Sequence, residues 1–226
     1  DFSADPEEFA PVIALLIVVL TMLFSAISFG CCIMYAVRFY KNLFTDEGYI
    51  TWTLPASPLT QLWAKILSAS IWYVLDLAIC FAAAWLLISG DNIQSALKKI
   101  KPDFQAALGM SFSSFCGLVV FFSFVGILSC VLFIYTSIAI GQLVPAHRII
   151  VSIAVYFILN LITQIISIGV SIITSVFPDY VFSPAQTSFS EYFFQMLLIG
   201  TCTTTVLAIA GYFITYRILQ RKVNLI

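Results

Sequence analysis

The chain has 226 residues, of which 62% are hydrophobic and only 9% are charged, and its formal net charge is −1. Soluble domains carry about 25% charged residues, so this chain has too few polar side chains to cover a water-facing surface and must face lipid. The near-neutral charge gives no support to nucleic-acid binding. The six cysteines lie in apolar stretches without a CxxC pair, which is typical of packing residues and argues against a zinc or redox site.

Long uncharged runs predict an all-α fold, a polytopic helical membrane protein that forms a single transmembrane domain over residues 1–226. The first run is longer than a hydrocarbon core of about 30 Å requires at about 1.5 Å per residue, so it is expected to tilt or to project into the cytosol. The second run is interrupted only by Asp76. The five predicted transmembrane helices cover about residues 9–37, 66–88, 112–140, 149–177 and 192–216.

Basic residues near the ends of these runs predict the orientation in the cell membrane, because cytosolic loops carry an excess of Lys and Arg. Five spans place the two ends of the chain on opposite sides. The side with more basic residues is expected to be cytosolic, which puts the N-terminus outside and the C-terminus in the cytosol. The predicted cytosolic side has Arg38, Lys41, Lys65, Arg148, Arg217, Arg221 and Lys222, and the outer side has Lys98, Lys99 and Lys101.

The largest cytosolic segment, residues 38–65, contains the signals for a short helix followed by a long one. Thr45 is expected to cap the short helix, because the acidic pair at 46–47 would then lie in its first turn, where the helix dipole favours negative charge. Pro55 should end this helix. A Ser-Pro pair at 57–58 is typical of a new helix start, and this second helix should continue into the second span.

The short helix carries apolar side chains that are unusual for a cytosolic loop, namely Tyr49, Ile50, Trp52 and Leu54. Such a surface suits either a protein partner or the lipid headgroups. Helices that lie on a membrane surface usually have a polar face rich in Lys and Arg, whereas this helix begins with two acidic residues that an anionic leaflet would repel. The charge pattern therefore favours a protein partner.

This loop resembles that of the type-2 ABC exporter permeases, in Glu47-Gly48, in the turn Leu54-Pro55-Ala56-Ser57-Pro58 and in Lys65. The segment of residues 135–143, followed by His147-Arg148, is similar to permeases of Gram-positive exporters. The resemblance covers essentially the whole chain. The family has six spans and a cytosolic N-terminus, so the resemblance implies that the family's first span would precede Asp1.

The resemblance implies that the short helix is a coupling helix, which docks on a separate ATPase subunit and transmits its closure to the membrane helices. ATP and magnesium would bind that subunit, and this chain would need no cofactor and bind no metal. A second permease subunit, identical or different, would complete the pathway, whose substrate (peptide, drug or lipid) is left open. The implied contacts with the ATPase are Asp46, Glu47, Gly48, Tyr49, Ile50 and Trp52.

The sequence contains no catalytic motif that would make the chain an enzyme. It lacks the GxxxxGK[ST] phosphate-binding loop, and its single histidine, His147, rules out an HExxH metal site and a Ser/His/Asp set within the membrane.

Three polar residues are predicted within the membrane. Asp76 lies in the second span, where inserting a charged side chain at the helix centre costs about 2.5–3.5 kcal/mol. Asn160 and Gln164 lie in the fourth span. Asn160 has a similar depth to Asp76, which allows a structural polar contact; a substrate or proton pathway is the alternative. Two other functions therefore remain open: an ion- or proton-coupled transporter or channel that uses Asp76, and a membrane scaffold or immunity protein.

Overall fold

The computed structural model describes the backbone of residues 6–53, 55–90, 102, 105, 109–176 and 189–221. All regular secondary structure in these residues is helical, which confirms the all-α prediction. The outer lysines at 98, 99 and 101 lie outside the described residues. The helices are α1 (Pro6–Phe44), α2 (Asp46–Thr53), α3 (Pro58–Ile88), α4 (Phe112–Gly141), α5 (Arg148–Ile173) and α6 (Phe189–Arg221).

Five of these helices are long and apolar enough to cross a membrane, and α2 is the short exception. The chain is thus a multi-pass membrane protein with five candidate spans in its described residues. The candidate spans are Thr21–Phe44, Pro58–Ala83, Phe112–Gly141, Arg148–Ile173 and Ser190–Gln220.

The helix ends follow local signals in the sequence. The 39 residues of α1 correspond to a length of about 58 Å, well beyond the thickness of a hydrocarbon core of about 30 Å. The Ser57 hydroxyl accepts from the Thr60 backbone N–H at 3.2 Å, so the predicted cap of α3 is present. Helix α5 ends at Ile173, before the predicted 177, because Ser175 adopts a left-handed conformation with φ of 61°.

Helix α4 is the centre of the bundle, in contact with α1, α3, α5 and α6. The buried core lies at one end of the bundle, where α1 and α6 end, α3 begins and α4 ends; we call this the α2 end. The buried side chains are therefore concentrated at the end of the bundle where α2 follows α1. The core consists of Tyr35, Phe39, Leu43, Phe44, Leu62, Ile66, Ala69, Tyr73, Val131, Ile134, Tyr135, Ile138 and Leu219.

Large apolar side chains are exposed away from this core. In α1 they begin well before the α2 end, for example at Leu15, Met22 and Phe29, and in α5 they run from Ile149 to Ile173. These surfaces are suited to lipid or to another transmembrane protein.

Candidate functional site

Helix α2 follows α1 after a single residue, and the junction is buried. Leu43 and Phe44 are almost completely inaccessible, and the Gly48 backbone N–H donates to the Thr45 carbonyl at 2.7 Å. The Thr45 hydroxyl, expected to cap α2, donates instead to the Lys41 carbonyl at 2.7 Å, so it belongs to the end of α1. The start of α2 is therefore fixed through Thr45, whose carbonyl accepts from Gly48 and whose hydroxyl donates to the end of α1.

A polar bridge joins the first turn of α2 to both neighbouring long helices. The Asn42 side-chain amide lies between Glu47 and Lys65, and we assign its nitrogen to the Glu47 side because the opposite orientation would point the amide oxygen at the carboxylate. In the assigned orientation the nitrogen is 3.2 Å from Glu47 Oε2 and the oxygen is 2.7 Å from Lys65 Nζ. In this orientation Asn42 donates to the carboxylate and accepts from the ammonium group, so it links the two charged side chains. Asn42 thus links Glu47 and Lys65, two residues on which the family resemblance depends.

A second contact ties the last turn of α2 to α3. The buried Gln61 side chain donates through Nε2 to the Thr51 carbonyl at 2.9 Å. This bond satisfies one of the backbone carbonyls that a helix leaves unpaired at its C-terminus. Helix α2 is consequently held at both ends, by Asn42 of α1 and by Gln61 of α3.

The predicted contact residues are only partly described. Asp46 and Glu47 are exposed, and Gly48 is buried against the end of α1. Tyr49, Ile50 and Trp52 have described helical backbone, but their side chains lie outside the described residues. The structure places all six residues on α2, whose acidic first turn faces solvent.

Aromatic packing lies directly beneath α2. The Phe39 and Tyr135 rings are stacked, with centroids 3.8 Å apart and an interplanar angle of 10°. The Tyr135 hydroxyl donates to the Lys65 carbonyl at 3.1 Å. Tyr135 begins the segment 135–143 that carries the second part of the family resemblance, and this segment forms the largely buried end of α4. Helices α1, α3 and α4 are therefore connected at the level of the Asn42 bridge.

The intramembrane polar residues do not form the expected cluster. Asp76 is half-buried and accepts from the Ser28 hydroxyl of α1 at 3.3 Å. Asn160 donates to the Tyr156 carbonyl of its own helix at 2.8 Å, and Gln164 is exposed. In the described part of the chain α3 and α5 are not adjacent, and no hydrogen bond joins Asp76 to Asn160, so the polar contact that their similar depth allows is not formed. Similar depth does not make two helices neighbours.

Sequence reasoning missed Asn42, Gln61 and Ser28. A signal existed for Ser28. It precedes Arg38 by ten residues, and Asp76 follows Lys65 by eleven residues. Ser28 and Asp76 therefore lie at matching depth on consecutive antiparallel helices. Asn42 and Gln61 are ordinary polar residues near helix ends, where no motif distinguishes them. Only the packing of the three helices shows their role.

The thiol groups in the core pack against a tyrosine. The Tyr73 hydroxyl contacts the Cys32 sulfur and lies 4.0 Å from that of Cys130, and all six cysteines are free. Among the residues that the structure describes, no three His, Cys, Asp or Glu side chains are grouped as metal ligands would be.

No protein-family model, curated protein or solved structure matches this chain. The features that point to a function are therefore the geometry of the α2 end and the family resemblance of residues 38–65.

Proposed function

We propose that this chain is the transmembrane permease subunit of an ATP-driven, ABC-type exporter in the plasma membrane. Its N-terminal end would lie outside and its C-terminal end in the cytosol. A separate ATPase subunit would bind ATP and magnesium and hydrolyse the nucleotide, and this chain would supply the pathway. The observation that supports the proposal best is the attachment of α2 at both of its ends to the long helices beside it.

A helix held in this way is suited to transmit force. Its eight residues span about 12 Å, enough for the contact surface of a small groove. A displacement of α2 would reach α1 and α3 through the Asn42 and Gln61 bonds, and α4 through the Phe39–Tyr135 stack. Tightly packed side chains transmit such displacements because protein interiors are barely compressible.

The solvent-facing acidic turn favours a protein partner over the membrane surface. Asp46 and Glu47 are exposed, and an anionic leaflet would repel them. A groove with complementary positive charge on an ATPase subunit would attract them and fix the register of docking. The exposed apolar faces of α1 and α5 would contact lipid and a second permease subunit, so that the two permeases enclose the pathway.

Charge reversal at Glu47 tests the proposal. In the purified complex with the ATPase subunit, Glu47→Arg is expected to insert normally but to lose substrate-stimulated ATP hydrolysis and export, because it places a cation at a surface that would face a basic groove. Glu47→Gln is the matched control: it keeps an oxygen for Asn42 and should retain most of the coupling. Hydrolysis is measured with and without substrate in reconstituted vesicles.

Two results would overturn the proposal. One is unchanged substrate-stimulated hydrolysis in Glu47→Arg. The other is a stable, active assembly, purified from native membrane, that contains no nucleotide-binding subunit.

One observation favours a second candidate, an ion- or proton-coupled transporter or channel. Asp76 is a half-buried carboxyl group within a candidate span, and ionisable groups in that position often line proton or ion pathways.

A further inference from the structure

A cavity of about 140 Å³ lies between α1 and α3 at the α2 end. Its floor is formed by Tyr35, Ala69 and Tyr135, which are buried. Its volume is close to that of an engineered cavity of about 150 Å³ that holds a benzene molecule. The cavity is therefore large enough for one small chemical group, and the side chains that line it determine the kind of group that can bind.

The walls carry two cations from different helices. Arg38 of α1 and Lys65 of α3 both line the cavity, and the two like charges repel each other across it. Within the described residues, neither side chain has a carboxylate within 4.0 Å. Asn42 lies between Lys65 and Glu47, and the Glu47 carboxylate is bound to the Asn42 amide. An anion placed between Arg38 and Lys65 would remove the repulsion and satisfy both groups.

Hydrogen-bond donors are available on both sides of the cavity. Arg38 offers a planar fork of N–H groups, and Lys65 uses one of its three N–H groups on Asn42. The Ser68 hydroxyl, one turn beyond Lys65, also lines the space. A guanidinium fork with an ammonium and a hydroxyl group is a donor set that suits the tetrahedral oxygens of phosphate.

Three of the residues that line the cavity follow one face of α3 away from the α2 end. Ala64, Ser68 and Trp72 succeed each other at intervals of four residues, line the cavity and are exposed. The Trp72 side chain is 52% exposed and lies inside a candidate span. The lining thus runs from a cationic end near α2 to an exposed aromatic side chain farther along an apolar helix, which matches the polarity of a phospholipid.

We propose that this cavity binds a phosphate group through Arg38 and Lys65, with Ser68 as a further donor. The phosphate comes either from a membrane phospholipid, whose acyl chain then lies along Trp72, or from a soluble phosphate. The site is independent of the proposed export function.

The test uses the fluorescence of Trp72 in the full chain, with Trp52, Trp63 and Trp85 changed to Phe. The protein is placed in phosphatidylcholine nanodiscs that contain increasing amounts of phosphatidylglycerol with brominated acyl chains, which quench tryptophan on contact. We expect half-maximal quenching to need roughly tenfold more of this lipid in Arg38→Gln and in Lys65→Gln, because each removes charge-assisted hydrogen bonds. Arg38→Lys, which keeps the charge but loses the planar fork, should bind with intermediate affinity and shows that the fold tolerates substitution there.

Lys41→Gln is the matched control, since Lys41 is an exposed cation on the same helix that does not line the cavity. It should leave the quenching curve unchanged. A change in Trp72 emission with inorganic phosphate in lipid-free detergent micelles, lost in Arg38→Gln, would support the site and assign it to a soluble phosphate. Equal quenching by brominated diacylglycerol, or equal losses in Lys41→Gln and Arg38→Gln, would overturn the proposal.

Discussion

Asp76 is the carboxyl group that lies deepest in a membrane-spanning helix among the described residues, and its partner there is a hydroxyl group. The distance of 3.3 Å from Ser28 Oγ to Asp76 Oδ2 is beyond the usual range of about 2.5–3.0 Å for such bonds. A long bond to a neutral donor compensates little of the cost of a buried charge.

The substitution Asp76→Asn separates a structural role of this residue from a pathway role. Asparagine has the same shape and still accepts from Ser28, so ATP-driven export should be retained within a factor of about two. Ser28→Ala, which removes the donor, should lower stability by about 0.5–1.5 kcal/mol without abolishing export. Export is measured in vesicles that contain the ATPase subunit. Loss of transport by a correctly assembled Asp76→Asn protein would instead favour the ion- or proton-coupled mechanism.

Helices α4 and α6 owe their close approach to small residues. Thr136 is buried, and the Thr215 hydroxyl oxygen lies 3.1 Å from Thr136 Oγ1 and 2.9 Å from the Gly211 carbonyl oxygen, two acceptors for its single proton. A Cβ atom at Gly211 would lie 2.6 Å from Thr136 Oγ1, which is too close for two non-bonded atoms. Because Thr136 is β-branched and enclosed, it cannot turn away without losing its bonds. Small residues at such crossings are typical of membrane helix pairs.

We expect Gly211→Ala to lower stability by about 1–3 kcal/mol through overpacking. Thr136→Ala should restore part of this loss in the double variant, because it removes the atom that Cβ would meet. Gly126→Ala is the matched control, since nothing lies within 4 Å of a Cβ there, and it should be neutral or stabilising by up to about 1 kcal/mol. Thermal unfolding in detergent gives the comparison. Equal midpoints for Gly211→Ala and Gly126→Ala would contradict the described α4–α6 packing.

The type and number of the helices were predictable because long apolar runs can be read directly from the sequence. Which helices contact each other was not predictable in this way. The apolar runs gave five spans, and Ser57-Pro58 marked the start of α3, as the structure has it. Contacts between helices depend on which faces meet, and no periodic signal distinguishes the faces of helices that are apolar all round. For this reason neither the separation of Asp76 from Asn160 nor the bridge by Asn42 was foreseen.

At the scale of the whole molecule, the buried core of the described residues lies at the α2 end, and the proposed coupling to an ATPase requires this end to face the cytosol. The basic residues Arg38, Lys65 and Arg148 lie near this end of their helices, the distribution typical of cytosolic ends. The proposed coupling function of α2 therefore requires that the α2–α3 connection lies in the cytosol.

Cysteine labelling tests this requirement directly. With the native cysteines replaced by alanine, Ala56→Cys in the exposed α2–α3 connection should react with a membrane-impermeant thiol reagent only after the cells are permeabilised. Ser89→Cys, exposed after the opposite end of α3, should react in intact cells because a span of about 30 Å separates the two positions. Labelling is read as a mass shift of the purified chain. The reverse pattern would place Glu47 outside the cell, where no ATPase could contact it, and would remove the exporter proposal while leaving the helical fold intact.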